Sequence, residues 1–286
     1  MKIGINSFTW TSPFRTERVD LIARAKQIGF DVFEMAVEQP ELIDLDVVKR
    51  AYEENEIGAT LCAVIGPGRD LSHEDSQVRE TTKSYIRWCI TAAAKIGSLV
   101  VSGPLYSSVG KARWIPADER AHERARAVEG LREMAAFASD HGVKLALEPL
   151  NRFEIDMVNT VEQALELIEE IGSPSVGLLL DSFHMHIEEK DTKEAILKAG
   201  KRLFNFHSNE NDRGIPGTGQ VNWKGIIEGL KEIDYQGSLV IESFTPELEA
   251  IARAVCLWRP IASSQDAIAI EGLNFLRQLT QEESQG

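Results

Sequence analysis

Four polar side chains directly follow short apolar runs that are typical of buried strands. Glu148 follows LAL, Asp181 follows GLLL, His207 follows LFNF and Glu242 follows LVI. The intervals between them are 33, 26 and 35 residues, and each is about the length of one strand, one helix and their connections. Because the carboxyl ends of the strands in a parallel barrel converge at one mouth, the spacing predicts that these side chains meet there.

The chemistry that this set supports is the binding of one divalent metal ion. Carboxylates held close together repel one another and raise each other's pKa, and a divalent cation removes that cost. Two glutamates, one aspartate and one histidine suit Mn²⁺, Mg²⁺, Co²⁺ or Fe²⁺. A structural zinc site would prefer thiolates, and no cysteine lies beside these residues. One such carboxylate could simply cap a helix or pair with an arginine, but four consecutive strand ends favour a metal site.

A second group of polar residues lies on the same segments. Glu154, His184 and Arg213 each follow one of the predicted ligands within a few residues. They could position a polar substrate or orient the ligands. His184 could equally be a loop histidine with its hydrogen bonds satisfied, and Arg213 could pair at the surface with Asp212. The residues alone leave both interpretations open.

Aromatic residues near the predicted strand ends could form the wall of a pocket that excludes water. Phe8, Phe14 and Trp114 are the candidates for contact with a substrate, and Trp10 and Phe244 lie in similar positions. Packing in the hydrophobic core accounts for such residues equally well.

The elements that must position these residues are strands and helices in regular alternation. Several apolar runs are continuous, as is typical of parallel strands covered on both faces. Since no GxGxxG follows the first strand, we predict a closed (β/α)8 TIM barrel rather than a dinucleotide-binding sheet. One domain is predicted over residues 1–280, with a frayed polar tail over 281–286 and long loops over 103–118 and 214–222. The predicted strands are 2–6, 31–35, 59–64, 99–102, 144–147, 176–180, 203–206 and 238–241, and the clearest helices are 19–28, 47–55, 119–141 and 160–171.

The composition excludes several classes of partner. The formal net charge of the 286 residues is −14, which argues against nucleic acid and against anionic membrane surfaces. The amino terminus, MKIGINSFTW, lacks the apolar stretch of a signal peptide, and no run of 18 apolar residues predicts a membrane span. The three cysteines are odd in number and form no CxxC motif, so we expect a reducing compartment, the cytoplasm.

The segments around these residues resemble the ketose 3-epimerase family, which includes D-tagatose 3-epimerase and D-allulose (D-psicose) 3-epimerase. This family belongs to the xylose-isomerase-like TIM barrels. The resemblance extends along most of the chain, and its motifs are specific in combination rather than singly. The matching stretches are EPLNRFE (148–154), LDSFHMHIEE (180–189), FHSNENDRGIPGTGQVNW (206–223) and VIESF (240–244).

The resemblance implies a role for each candidate residue. The metal would be bound by Glu148, Asp181, His207 and Glu242, and the two glutamates would be the catalytic acid/base pair. Substrate oxygens would be held by Glu154, His184 and Arg213. The metal would be Mn²⁺ or Co²⁺, with Mg²⁺ also suitable, and the enzyme a homodimer or homotetramer. Some family members have an aromatic residue in place of Asn6 and a tryptophan in place of Phe14, so the preferred sugar is not predicted.

The predicted reaction is the epimerisation of a free ketose of the D-tagatose, D-fructose or D-allulose type at C3. Removal of the C3 proton next to the C2 carbonyl gives an enediolate, and inversion returns a proton to the opposite face. Glutamates on strands 5 and 8 can serve the two faces, while a metal ion stabilises the negative charge. Arg213 is the only arginine in the predicted loops after strands 6 to 8, which favours a neutral sugar, although Lys111 and Arg113 offer cations for a phosphate.

Other functions on the same scaffold stay open at this point. An aldose–ketose isomerase, a hydroxypyruvate isomerase or an inosose-processing isomerase would use the same metal and the same enediolate chemistry. The acidic charge disfavours a metal-dependent endonuclease of related fold. A non-catalytic sugar-binding protein would need no paired glutamates around a metal.

Overall fold

Eight parallel strands form a closed barrel in the computed structural model, which describes residues 1–244 and 246–282. The strands are β1 (Lys2–Asn6), β2 (Val32–Val37), β3 (Gly58–Ala63), β4 (Val100–Gly103), β5 (Lys144–Leu147), β6 (Val176–Asp181), β7 (Leu203–His207) and β8 (Ser238–Ile241). Each strand pairs with the next along the chain, and β1 also pairs with β8, which closes the sheet. The predicted (β/α)8 TIM barrel is therefore confirmed.

The strand bounds follow the apolar runs closely. The predicted bounds of β1, β5 and β8 are those of the structure, and the other strands differ by one or two residues at an end. Every residue of β6, VGLLLD, is buried, as expected for a parallel strand packed on both faces. Strands β6 and β7 extend one residue further than predicted, so Asp181 and His207 belong to the strands themselves.

Helices surround the barrel and alternate with its strands. In the described residues they are α1 (Asp20–Ile28), α2 (Leu45–Glu54), α3 (Ser76–Ile96), α4 (Ala117–Asp140), α5 (Val161–Ile171), α6 (Ser182–Glu188), α7 (Thr192–Ala199), α8 (Trp223–Glu232), α9 (Glu249–Ala254) and α10 (Gln265–Glu282). Helix α5 shows how local sequence sets its bounds. It begins with a capping box between Thr160 and Gln163 and ends at Gly172, whose φ of 73° suits glycine.

Two predictions concern the chain ends and membranes. Helix α10 includes residues 281 and 282 of the predicted polar tail, and 283–286 lie outside the described residues. Among the described helices, none has both the length and the apolar character needed to cross a bilayer.

The inside of the barrel near the mouth is polar rather than aliphatic. Asn205 on β7 donates from Nδ2 to Glu34 Oε2 on β2 at 2.9 Å and to Ser102 Oγ on β4 at 3.0 Å. Because these strands are not neighbours in the sheet, their side chains can meet only by crossing the barrel interior. The main hydrophobic core lies instead between the barrel and its helices.

The long loops at the mouth are tied to one another. The chain from 104 to 116 connects β4 to α4, and a bridge pairs Lys111 with Ile155 in the loop after β5. The backbone N–H of Gly110 donates to the carbonyl of Glu154 at 2.9 Å, and that of Asp156 donates to the carbonyl of Lys111 at 2.9 Å. These contacts place the two loops side by side above the ends of the strands.

Candidate metal and sugar site

The four predicted ligands come together at the carboxyl end of the barrel. One potential ligand atom from each of Glu148, Asp181, His207 and Glu242 lies within 4.8 Å of the others, and all four residues are buried. We call this set the metal cluster. Each of these residues is the last residue of its strand or the residue that follows the strand. The geometry of the barrel therefore brings the four side chains to one point.

Asp181 performs several tasks at once. Its Oδ1 accepts a hydrogen bond from the backbone N–H of Phe183 at 2.8 Å, which caps the first turn of α6. Its Oδ2 accepts from Asn209 Nδ2 at 2.8 Å and from Arg213 Nη1 at 2.7 Å. The two simpler explanations for a carboxylate at a strand end, a helix cap and an arginine pair, are therefore both true here. These hydrogen bonds hold the Asp181 carboxylate inside the metal cluster, so both roles are compatible with metal binding.

His207 presents an unpartnered nitrogen to the other ligands. Its Nε2 lies 2.7 Å from Glu34 Oε1 deep in the barrel. Its Nδ1 is buried, has no hydrogen-bond partner among the described residues, and lies 3.4 Å from Glu242 Oε2. A buried nitrogen without a partner is costly. A divalent ion bound among three carboxylates would satisfy it, so the residues of this cluster fit a metal of the kind predicted.

The two glutamates of the cluster have different electrostatic surroundings. Burial raises the pKa of Glu148 well above its usual range, and the charges of Glu242 and Asp181 raise it further. Burial also acts to raise the pKa of Glu242, but the adjacent His207 and Arg213 outweigh it and lower that pKa. In the protein alone, Glu148 therefore favours the protonated form and Glu242 the ionised form. Such a split is the usual basis for assigning an acid and a base.

His184 and Arg213 direct donors towards the same point. The backbone N–H and Nδ2 of Asn151 both donate to His184 Nδ1, at 3.1 and 3.0 Å, so the ring proton must lie on Nε2. Burial, followed by the nearby Arg213, lowers the pKa of His184 well below its usual value, and the ring is neutral. Arg213 Nη2 lies 3.2 Å from this Nε2, although both atoms are donors. An oxygen that faces both atoms from the cavity side could accept a hydrogen bond from each.

Arg213 is held in place by its backbone and by aromatic rings. Its φ is 64°, an uncommon value for a residue with a side chain, and its carbonyl accepts a hydrogen bond from Ser243 Oγ at 2.6 Å. The guanidinium carbon lies 4.0 Å from the ring centre of Phe183 and 5.2 Å from that of Phe244. Cation–π contacts of this kind fix the guanidinium plane beside the metal cluster.

A cavity of 330 Å³ opens from the metal cluster towards the loops. Glu148 and Glu242 lie in its wall together with three predicted substrate residues, Glu154, His184 and Arg213. Phe8 lines it too, and its ring packs 5.4 Å from that of Phe244. Away from the metal cluster the wall is mostly apolar, formed by residues such as Val64, Ile65, Pro67, Val109, Ile251 and Val255.

Two predicted substrate residues lie elsewhere. Phe14 is fully buried and packs 6.0 Å from the ring of Phe33, whose neighbour Glu34 faces the barrel interior, so Phe14 lies in the core outside the barrel. Trp114 is 88% exposed and is not among the residues that line the cavity. Neither side chain therefore contacts the cavity in this structure, because proximity to a strand end in sequence does not determine which way a loop side chain points.

Three residues of the site were not predicted from the sequence. Glu34 contacts His207, Asn151 fixes the proton of His184, and Asn209 joins Asp181 to the backbone N–H of Glu242, which donates to its Oδ1 at 2.8 Å. A charged residue inside the apolar strand VFEMAV was a usable signal for Glu34. The two asparagines lie in polar loops, where no pattern in a single sequence distinguishes them.

Comparison with known proteins shows similarity to a family of TIM barrels and to ketose 3-epimerases. A family model described as "Xylose isomerase-like TIM barrel" matches residues 22–279. A protein of Synechocystis sp. named "Probable ketose 3-epimerase" is 36% identical over 281 residues, which cover 98% of this chain and 97% of that protein. A D-psicose 3-epimerase of Agrobacterium fabrum is 32% identical over 271 residues, which cover 93% of each.

Solved structures resemble the chain over its full length. A D-allulose 3-epimerase from Methylomonas sp., crystallised in complex with D-allulose, superposes with a TM-score of 0.91 at 28% sequence identity. The match covers 97% of this chain and 96% of that one. An L-ribulose 3-epimerase structure superposes with a TM-score of 0.93 at 28% identity and covers 99% of this chain and 96% of that one.

Proposed function

This chain belongs to the xylose isomerase-like TIM barrel family, and we propose that it is a metal-dependent enzyme that epimerises free ketoses at C3, with Glu148 and Glu242 as its proton-transfer groups. The observation that carries this proposal is the metal cluster itself. Four buried ligands converge beside a neutral histidine and an arginine at the mouth of a closed barrel. Relatives named as ketose 3-epimerases match nearly the whole chain, whereas an inosose isomerase of Bacillus subtilis matches 42% of it.

The metal would be held by Glu148, Asp181, His207 and Glu242. When bound, it supplies a Lewis acid that stabilises negative charge on the C2 and C3 oxygens of the sugar. We propose Mn²⁺ or Co²⁺, with Mg²⁺ also suitable, because carboxylate oxygens with one imidazole suit these ions. Hydrogen bonds from the backbone N–H of Phe183 to Asp181 and from Arg213 Nη1 to Glu242 Oε2 hold both carboxylates in place before any ion arrives.

Glu148 and Glu242 would move the proton. They extend from the ends of β5 and β8, and the cavity lies between them and the loops. In one direction Glu242 would take the C3 proton from one face of the sugar, and Glu148 would return a proton to the other face. In the reverse reaction the roles exchange.

His184 and Arg213 would hold the C2 oxygen. The donors on His184 Nε2 and Arg213 Nη2 lie 3.2 Å apart, so an oxygen that faces both atoms from the cavity can accept from both as it gains negative charge. Asn151 keeps His184 neutral and oriented, and its Nδ2 also donates to Glu154 Oε1 at 2.8 Å. Glu154 is thereby fixed at the edge of the cavity, where it would accept hydrogen bonds from sugar hydroxyls.

A neutral sugar fits the cavity better than a sugar phosphate. Lys111 and Arg113 belong to a network that we call the loop clamp, in which they pair with the carboxylates of Asp70, Glu123 and Asp156. Both cations are therefore neutralised outside the cavity. Among the described residues that line the cavity, Arg213 is the only lysine or arginine, and it already contacts two carboxylates.

The proposal extends to the assembly and location of the enzyme. We expect a homodimer or homotetramer, and the exposed aromatic rings of Trp114, Phe153 and Trp258 offer apolar surface for subunit contact. We place the enzyme in the cytoplasm, in agreement with its free cysteines Cys62, Cys89 and Cys256.

The experiment that tests the proposed function is a panel of ketohexoses and ketopentoses with Mn²⁺ or Co²⁺, with the products separated by chromatography. C3 epimers are expected, and none should form after the metal is removed with a chelator. Conversion of ketoses to aldoses would favour the isomerase alternatives. Sugar binding without turnover, retained after metal removal, would favour a binding protein, and a DNA mobility shift at low salt would favour an endonuclease.

A further inference from the structure

The mechanism makes no use of a buried carboxylate that lies beside the metal cluster. Glu34, in the middle of β2, is fully buried inside the barrel. Its Oε1 accepts from Asn6 Nδ2 at 2.9 Å and lies 2.7 Å from His207 Nε2, and its Oε2 accepts from Asn205 Nδ2 at 2.9 Å. These partners come from β1 and β7. Hydrogen bonds from both strands therefore fix the orientation of the Glu34 carboxylate.

This carboxylate has no lysine or arginine among its partners in the described residues. A buried carboxylate is costly unless a cation or several hydrogen bonds compensate its charge. Two neutral amides and one imidazole supply the hydrogen bonds to Glu34. The positive charge that would offset the rest of the Glu34 charge is the metal ion, which the metal cluster would hold on the other side of the His207 ring.

We infer that Glu34 is a positioning residue that orients His207 for the metal. A carboxylate accepts hydrogen bonds, so Nε2 carries a proton, and Nδ1 is the ring nitrogen that faces the metal cluster and can offer a lone pair to an ion. This inference rests on the metal site of the proposed function. A metal-bound histidine commonly donates its other ring N–H to a carboxylate, which fixes the ring and strengthens the ligand. Glu34 has this relation to His207.

The variant Glu34→Gln removes the charge and preserves the shape. The glutamine can keep its Oε1 towards Asn6 and His207, so its NH₂ group would face Asn205. Among the described residues, Asn205 Oδ1 has no hydrogen-bond partner, and rotation of that amide would bring Oδ1 round to accept from the new NH₂ group. We therefore expect the variant to fold, with the loss of one negative charge as the principal change.

The test is Mn²⁺ binding to the metal-free protein, measured by isothermal titration calorimetry. We expect the Kd of Glu34→Gln to be about 10- to 100-fold higher than that of the wild type. The matched control is Glu123→Gln, which removes a buried carboxylate of the loop clamp and should leave the Kd unchanged. A Kd for Glu34→Gln within twofold of the wild type would overturn the inference. If the wild type itself binds no Mn²⁺, the proposed function fails instead, so the two failures are distinguishable.

A second measurement needs no variant at position 34. Wild-type protein labelled with ¹⁵N in its histidine rings is titrated with Zn²⁺, a diamagnetic ion, and the His207 signals are assigned with His207→Asn. We expect a proton on Nε2 and a metal-induced shift on Nδ1. A metal-induced shift on Nε2 would overturn the inference, because the ring would then have turned away from Glu34. A merely structural role for Glu34 does not determine which nitrogen binds the ion.

Discussion

The loop clamp and the metal cluster are both dense groups of charged side chains, but they balance their charge differently. In the loop clamp, Lys111 Nζ lies 2.8 Å from Asp70 Oδ2 and 3.1 Å from Glu123 Oε2, and Arg113 pairs with Glu123 at 2.8 Å and Asp156 at 3.0 Å. Each carboxylate therefore contacts a cation, and each cation contacts two carboxylates. Such a network is complete without any added ion.

The metal cluster is incomplete in the protein alone. Among the described residues, Arg213 contacts two of the three carboxylates, Asp181 and Glu242, and Nδ1 of His207 has no hydrogen-bond partner. The pKa values reflect the contrast. Although burial raises the pKa of Glu123, hydrogen bonds from Arg113 and Lys111 lower it overall, whereas burial and neighbouring carboxylates raise the pKa of Glu148. The paired charges of the loop clamp stabilise the fold. The unpaired carboxylate charge of the metal cluster is available to bind an ion and a substrate.

The largest difference between the two regions should appear in turnover. Glu148→Gln and Glu242→Gln keep the size and one oxygen of each side chain but cannot exchange a proton with the sugar. We expect kcat to fall by about 10²- to 10⁴-fold in each variant at saturating metal. Glu123→Gln, which removes a carboxylate from the loop clamp, should keep kcat within a few-fold of the wild type. Near wild-type turnover in either metal-cluster variant with metal bound would refute the two-glutamate scheme.

The next largest effect is expected where donors meet the C2 oxygen. Arg213→Met and His184→Gln should each lower kcat by about 10²- to 10³-fold, because each removes or displaces a donor to developing negative charge. The matched control is Arg152→Met, since Arg152 is an exposed arginine that pairs with Glu188, the last residue of α6. Steady-state kinetics on one ketose separate kcat from KM. A loss confined to KM would mean that these donors bind the ground state only.

Stability should respond in opposite directions in the two regions. In the metal-free protein at pH 7, Glu123→Gln should lower the free energy of unfolding by about 1–3 kcal/mol, because it weakens the hydrogen bonds that Glu123 accepts from Lys111 and Arg113. Glu148→Gln should raise it by about 1 kcal/mol, because burial raises the pKa of Glu148 and glutamine needs no proton to be buried in a neutral form. Urea denaturation after chelation measures both. If Glu148→Gln is as destabilising as Glu123→Gln, the metal cluster is not electrostatically strained.

The same pair gives a dependence on pH. The folded pKa of Glu123 is lowered, so its stabilisation is complete above the unfolded value of 4.5 and is lost as pH falls through the folded value. The folded pKa of Glu148 is raised, so metal-free protein loses stability as pH rises above 4.5. The advantage of Glu148→Gln over the wild type should therefore be small in acid and grow as pH rises.

The smallest expected effect concerns Asn151. Asn151→Ala removes the amide contact to His184 but keeps the backbone N–H that also donates to His184 Nδ1. Since the proton position is still set by one donor, we expect kcat to fall by roughly tenfold or less, about 1 kcal/mol. A loss as large as that of His184→Gln would show that the backbone donor alone does not hold the ring.

The sequence predicts the metal ligands better than it predicts the residues around them. The ligands of the metal cluster follow apolar strand runs at intervals of one repeat, and the barrel dictates where such strand ends meet. Glu34 was detectable as a charge within β2, but its contact with His207 crosses the barrel and depends on register. Phe14 and Trp114 show where prediction stops, because the direction of a loop side chain is set by tertiary packing and not by its distance from a strand.

The most direct test of the central claim is where a solvent proton enters the sugar. The enzyme with Mn²⁺ converts a ketose such as D-fructose in D₂O, and the deuterium in the product is located by NMR. We expect a C3 epimer with deuterium at C3 and none at C1, because Glu148 and Glu242 would exchange the C3 proton through an enediolate. Deuterium at C1 with formation of an aldose would contradict it.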